Sequence, residues 1–191
     1  MIIETNINGI DLSFETSSKI FSPLAIDMGT LAMLSAVELS PGDKLLDLGC
    51  GYGIVGIYAA KLVGYQNVVM SDIDKECLRL STSNVERNNV SGVKIIESNG
   101  FENISDSGFT LILSNPPYHT DFSIAKHFIE KGFNRLQVGG MMFMVTKRRD
   151  WYRNKFVAIF GGVQIIEANG YFVFRAEKRN MSYANKKRKL S

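Results

Sequence analysis

The chain has 191 residues, 45% of them hydrophobic and 21% charged, enough for one globular core that needs no disulfide or metal staple. Its two cysteines, Cys50 and Cys77, and two histidines, His119 and His127, form no zinc-like spacing, so no metal is expected. The formal net charge is only +3, yet residues 1–146 hold 10 Lys and Arg against 16 Asp and Glu, and residues 147–191 hold 12 against 3. A basic C-terminal quarter suits a polyanion such as ribosomal or transfer RNA, with a solvated surface as the alternative. No run approaches membrane-spanning length, and no basic stretch leads into an apolar one near the start. A reduced, cytoplasmic setting without membrane attachment is the expectation.

In chain order, Ile2 to Ile7 and Ile10 to Phe14 flank Asn8-Gly9, a pair suited to the two positive φ angles of a tight hairpin. Asp27 to Leu39 carries apolar residues at near-helical spacing and stops at Pro41-Gly42. Strands are then expected near Lys44 to Asp47, Asn67 to Ser71, Val93 to Glu97, Phe109 to Ser114 and Met141 to Thr146. Helices are expected between them near Ile54 to Val63, Lys75 to Asn88 and Phe122 to Leu136, with Asp74 as an N-cap. Such alternation predicts an α/β fold, Rossmann-like, with a mostly parallel central sheet and helices on both faces. Trp151 to Phe160 reads as a further helix. Val163 to Glu167 and Tyr171 to Ala176 then flank Asn169-Gly170 and predict a C-terminal antiparallel hairpin on the sheet. The expected organisation is a hairpin extension over residues 1–20, one domain over 21–178, and a basic tail over 179–191 that includes Lys186-Lys187-Arg188-Lys189.

Asp47-x-Gly49-Cys50-Gly51-x-Gly53 falls where the first strand of the alternation gives way to its helix, the end of a parallel sheet at which ligands bind. Glycines there allow a tight turn and close backbone approach to a ligand. Gly51-x-Gly53-x-x-Gly56, followed by Asp72, also fits a dinucleotide site, so an NAD-dependent oxidoreductase is a rival reading. Against it, Asp47 is a poor neighbour for a pyrophosphate but a good one for an ammonium group.

Asn115-Pro116-Pro117-Tyr118 follows the strand-like run ending at Ser114. A conjugated amine is a poor nucleophile until its lone pair is turned out of conjugation. The Asn115 side-chain oxygen and the Pro116 carbonyl form a pair of acceptors able to take both of its hydrogens. The prolines stiffen the backbone, and Tyr118 offers a face for a flat substrate. The sequence alone leaves a second functional class open, a non-catalytic nucleoside-binding domain.

Together, Asp47-x-Gly49-x-Gly51-x-Gly53, Asp72 and Asn115-Pro116-Pro117-Tyr118 resemble the class I S-adenosylmethionine-dependent methyltransferases that modify nitrogen. Phe21-Ser22, Asp27-x-Gly29-Thr30, His119 and Gly170-Tyr171-Phe172-Val173-Phe174-Arg175-Ala176 resemble, more narrowly, the small-domain ribosomal RNA guanine-N2 methyltransferases. The resemblance implies S-adenosyl-L-methionine as cofactor, a ribosomal RNA or ribosomal assembly intermediate as partner, and Asn115, Pro116, Pro117 and Tyr118 as the catalytic stretch. It implies cofactor contacts from Phe21, Asp27, Gly29, Thr30, Asp47, Gly49, Cys50, Gly51, Gly53, Asp72, Ile73, Asn99, Gly100 and Asn115. Asn99 replaces the more usual Asp at the adenine position, and its amide oxygen can still accept the adenine N–H. Enzymes with the same tetrapeptide methylate adenine N6 or a glutamine amide, so those substrates remain alternatives.

Overall fold

The computed structural model describes residues 1–20, 22–117 and 122–184. A seven-stranded sheet in the order β5-β4-β3-β6-β7-β9-β8 forms its centre. The strands are β3 (Leu45–Leu48), β4 (Val68–Asp72), β5 (Lys94–Glu97), β6 (Phe109–Ser114), β7 (Leu136–Thr146), β8 (Gln164–Ala168) and β9 (Tyr171–Glu177). Pairs among β3 to β7 are parallel, and β9 runs antiparallel to both β7 and β8. The chain works outward from β3 to β5 and then returns to place β6 on the other side of β3. That reversal makes the C-terminal ends of β3, β4 and β6 the crevice where an open α/β sheet binds its ligand.

Strand side chains alternate between two apolar layers. Leu45, Val68, Met70, Leu111, Leu113, Phe143 and Val145 face one layer, together with residues of α1 (Met28–Ala36), α2 (Ile54–Val63) and α3 (Lys75–Arg87). Leu46, Val69, Ile112, Met142 and Met144 face the other, with α4 (Ser123–Arg135) and α5 (Asp150–Phe160). The strands are near-continuously apolar because both faces are covered. Among the described residues, no helix is long and apolar enough to cross a membrane.

Both Asn-Gly hairpins form as expected: β1 (Ile2–Ile7) and β2 (Ile10–Glu15) turn at Asn8 and Gly9 with φ of 49° and 85°, and β8 and β9 turn at Asn169 and Gly170 with φ of 54° and 75°. The first hairpin is a separate two-stranded sheet whose Ile7, Leu12 and Phe14 join the core. Two buried asparagines, one in α3 and one at its C-cap, pin it. Asn84 takes the Glu15 N–H and donates to the Glu15 and Tyr52 carbonyls, while Asn88 exchanges bonds with both backbone groups of Ser13.

The remaining elements lie within a few residues of expectation, with three differences. Helix α1 stops at Ala36 rather than Leu39, because Val37 is already extended. A short 3₁₀ turn, Tyr65–Asn67, precedes β4. The strand expected from Met141 begins at Leu136, since Gly139-Gly140, which looks like a break, lies within β7. Gly139 donates to the Lys178 carbonyl and Lys178 donates to that of Gly140, so backbone bonding continues. A Cβ on Gly140 would stand 2.8 Å from the Phe109 carbonyl, where the β6–β7 register shifts. Glycine here permits close backbone approach within a strand.

Gly56 has a different task. A Cβ there would overlap the Cγ and Sδ of Met70, a fully buried residue, and would reach within 3.2 Å of Asp47 Oδ2. Gly56→Ala is expected to destabilise the fold by about 1–3 kcal/mol despite alanine's better helix propensity. Thermal unfolding measures this directly; an unchanged or raised Tm would mean that Met70 yields without cost.

Candidate active site

Two adjoining cavities open at the C-terminal ends of β3, β4 and β6. The larger, about 360 Å³, is lined by Leu48, Gly49, Gly51, Ser71, Asp72, Ile73, Cys77, Ser98, Asn99 and Gly100 on one side and by Asn115, Pro116, Pro117, Ile124 and Phe128 on the other. This volume lies in the range of small-molecule sites. The smaller, about 90 Å³, is lined by Ile20, Ser22, Asp27, Thr30, Asp47, Gly49, Cys50, Gly51, Tyr52, Ile54, Val55, Cys77 and Asn115. Gly49, Gly51, Cys77 and Asn115 border both cavities and join them into one crevice.

The fold thus brings together most residues singled out from sequence. Asp47 is the penultimate residue of β3 and accepts the Gly56 N–H at 2.8 Å. It is 2% exposed, and burial pushes its carboxyl up to about 7, opposed by the Gly56 bond and reinforced by the charge of Asp72. Asp72 closes β4 and accepts the N–H groups of Gly51 and Asp74 at 2.8 and 2.9 Å. Burial also raises its pKa, and backbone N–H bonds from Asp74, Gly51 and Ile73 oppose that shift. Gly49 and Gly51 have φ of 74° and 56°, and a Cβ on Gly51 would meet nothing within 4 Å. These glycines leave the loop backbone bare toward the crevice.

Asn99 lines the larger cavity and donates from Nδ2 to Glu102 Oε1 at 3.0 Å, which leaves its oxygen as the group to meet an N–H. Asn115 lies just beyond β6, where Ser114 anchors the turn by donating to the Leu48 carbonyl at 2.7 Å. The Asn115 Nδ2 donates to Asp27 Oδ2 at 2.8 Å and to Thr30 Oγ1 at 3.0 Å.

Gly29 and Gly53 line neither cavity. A Cβ on Gly29 would strike the Tyr171 ring at 2.7 Å, and one on Gly53, the N-cap of α2, would strike Met70 at 2.8 Å. They provide room for packing behind the site. Cys50 lines the small cavity, and burial raises its thiol pKa well above normal, which disfavours the thiolate. Phe21, Tyr118, His119 and the basic run at 186–189 lie outside the described residues.

Sequence reading missed Tyr52 and Ser71, and it named Tyr171 only as part of the C-terminal stretch. The buried hydroxyls of Tyr52 and Ser71 have no partner among the described residues, although each residue lines a cavity. No motif points to either. Orphaned buried hydroxyls are costly. The charged residues lining the crevice, among those described, are Asp27, Asp47 and Asp72, with no Lys or Arg. Such a lining favours a cationic ligand and disfavours a pyrophosphate.

Comparison with known proteins agrees with this geometry. The model of the methyltransferase small domain matches residues 11–175. The chain is 28% identical over 174 residues to protein YbxB of Bacillus subtilis, covering 88% of this chain and 87% of that one. It is 30% identical over 184 residues to ribosomal RNA small subunit methyltransferase C of Serratia proteamaculans, covering 94% of this chain and 52% of the relative. Among solved structures, the T. thermophilus 16S rRNA N2 G1207 methyltransferase, in complex with AdoMet and guanosine, superposes with a TM-score of 0.87 at 26% identity. That match covers 94% of this chain and 50% of the other. The chain therefore spans about half the length of these ribosomal RNA methyltransferases. It belongs to the methyltransferase small domain family and has the fold of the class I S-adenosylmethionine-dependent methyltransferases.

Proposed function

We propose that this chain transfers a methyl group from S-adenosylmethionine to an exocyclic amine of a base, with guanine N2 in ribosomal RNA as the substrate. The observation that carries the reading is the amide of Asn115, whose nitrogen is taken up by Asp27 and Thr30 and whose oxygen is therefore the atom left for a substrate N–H. The ribosomal RNA relatives, and the neighbour solved with guanosine, favour the guanine target.

The donor contributes an electrophilic methyl carried on a sulfonium. Asp47 would hold the ammonium of its amino-acid part, Asp72 the ribose hydroxyls, and the Asn99 oxygen the adenine amine. The N-terminal residues of α2, Ile54 and Val55, line the small cavity, where unpaired helix N–H groups suit a carboxylate. Asn115 and the Pro116 carbonyl would take the two hydrogens of the target amine and turn its lone pair toward the donor. The base would stack on Tyr118. Alignment of this kind can contribute roughly 7–11 kcal/mol in favourable cases. No strong base is needed in advance, because the nitrogen becomes acidic once alkylated and loses its proton to water.

Lys147 and Arg149 are exposed just past β7, on the ligand-bearing edge of the sheet, and they are the residues we assign to RNA phosphate. Arg148 packs over the Phe122 ring at 4.9 Å, and that ring in turn stacks on Trp151.

The test is transfer of labelled methyl from S-adenosylmethionine to RNA and protein from cells lacking this gene, followed by nucleoside and amino-acid analysis. The expected product is N2-methylguanosine in ribosomal RNA. Label in N6-methyladenosine or methylglutamine would replace the substrate while keeping the chemistry. Absence of label from both ribosomal subunits and from protein would overturn the reading.

A further inference from the structure

We infer that Asp27 is a positioning residue: with Thr30 and Tyr171 it locks the Asn115 amide in the orientation that presents oxygen, and not nitrogen, to the substrate amine. The inference rests on the amine-methylating role proposed for Asn115.

An asparagine amide is nearly symmetric in shape, and a flip exchanges an acceptor for a donor at the same place. A donor facing the target amine could not accept its hydrogens. Asn115 therefore needs something that tells its two ends apart. Asp27 is able to do so, because a carboxylate only accepts. The flipped amide would put oxygen against oxygen at the 2.8 Å now spanned by Nδ2 and Asp27 Oδ2. Thr30 adds to the discrimination: its hydroxyl lies 3.5 Å from Asp27 Oδ2, to which it donates, and that leaves its lone pairs for Nδ2 at 3.0 Å. Both amide hydrogens are thus drawn to one side.

The carboxylate is itself fixed from two directions. Asp27 is the N-cap of α1, where Oδ2 accepts the Thr30 N–H at 2.9 Å. Its Oδ1 accepts the Tyr171 hydroxyl at 3.1 Å. Asp27 is 8% exposed and Tyr171 7%, so solvent competes little with these bonds. Gly29 makes the arrangement possible, since a Cβ there would lie 2.7 Å from the Tyr171 ring and 2.9 Å from Asp27 Oδ2. Bonding to an anion also polarises the amide, which strengthens its oxygen as an acceptor.

Three variants separate this role from a structural or donor-contact role. Asp27→Ser keeps a good N-cap, so the fold should hold, but its short hydroxyl cannot also hold Asn115. Its kcat is expected to fall about 10- to 100-fold, more than any loss in affinity for S-adenosylmethionine from the cavity that Asp27 also lines. Asp27→Asn can place its amide oxygen where Oδ2 stands and donate to the Tyr171 hydroxyl, so it should retain activity within a few-fold. Tyr171→Phe keeps the ring against Gly29 and should lose a few-fold in kcat, which gives a readout if the serine variant does not fold.

The deciding measurement is a double-mutant cycle with Asn115→Ala, in which Asp27→Ser or Tyr171→Phe should cost nothing further. Equal losses in the presence and absence of Asn115 would overturn the inference, as would a loss confined to donor affinity. If Asn115→Ala alone left methyl transfer intact, the proposed function would fail instead, which keeps the two failures distinct.

Discussion

Replacing Asn115 by Ala should lower kcat for methyl transfer by about 10²- to 10³-fold, the range seen when one preorganised polar group at a reacting centre is removed. Donor affinity should change little, because the other cavity-lining groups, including Asp47, Asp72 and Asn99, stay in place. The fold should lose on the order of 1 kcal/mol from the bonds to Asp27 and Thr30. Calorimetric titration with S-adenosylmethionine, run beside a single-turnover methyl-transfer assay, separates the effects. Full activity in the alanine variant would sink the mechanism. Donor binding lost in parallel with activity would instead make Asn115 part of the donor site.

The second large effect concerns Asp47, whose burial sets stability against binding. Its carboxyl titrates near 3.8 when unfolded and is pushed up to about 7 in the folded protein. Between those values the native state holds a proton that the unfolded state has lost. Stability therefore falls as pH rises through this window and is flat above about 7. Asp47→Asn preserves an acceptor for the Gly56 N–H and removes the buried charge. The ligand-free variant should be more stable than the parent at pH 8, by a few kcal/mol in order of magnitude, and the gap should close near pH 4.

Donor binding should move the other way. An ammonium group would be held by the ionised carboxylate, so affinity in the parent should rise with pH, up to tenfold per unit below about 7, until the ammonium itself loses its proton. The Asn variant should bind the donor about 10²-fold or more weakly at pH 8, with a flatter profile, since breaking a buried ion pair costs about 3–5 kcal/mol. Urea unfolding and donor titration at pH 5.5, 7 and 8.5 test both halves. A variant destabilised at pH 8, or a parent whose donor affinity ignores pH across this range, would remove Asp47 from the role.

The fold was legible where its signals are local. Asn8-Gly9 and Asn169-Gly170 announce hairpins because only a few residue types accept their positive φ angles. Helix α2 falls on its expected bounds because an apolar run opens after Gly53 and closes at Gly64. Strand β7 begins before its expected start at Met141, and only the packing of Gly140 against the Phe109 carbonyl shows why a glycine is needed inside it.

The site divides in the same way. Asp47, the glycine loop, Asp72 and Asn115 each sit at a strand end, and strand–helix alternation fixes that placement by itself. Sequence alone determined the class of fold, the edge of the sheet where the cavities open, and the residues expected to meet a cation and an amine there. Only the tertiary structure placed the Asn115 Nδ2 against Asp27 and Thr30. That placement depends on Asp27, 88 residues earlier in the chain, and on Tyr171, 144 residues beyond Asp27. No local pattern encodes such a contact, because a hydrogen bond is specified by where the fold brings its two partners and not by their spacing in the chain.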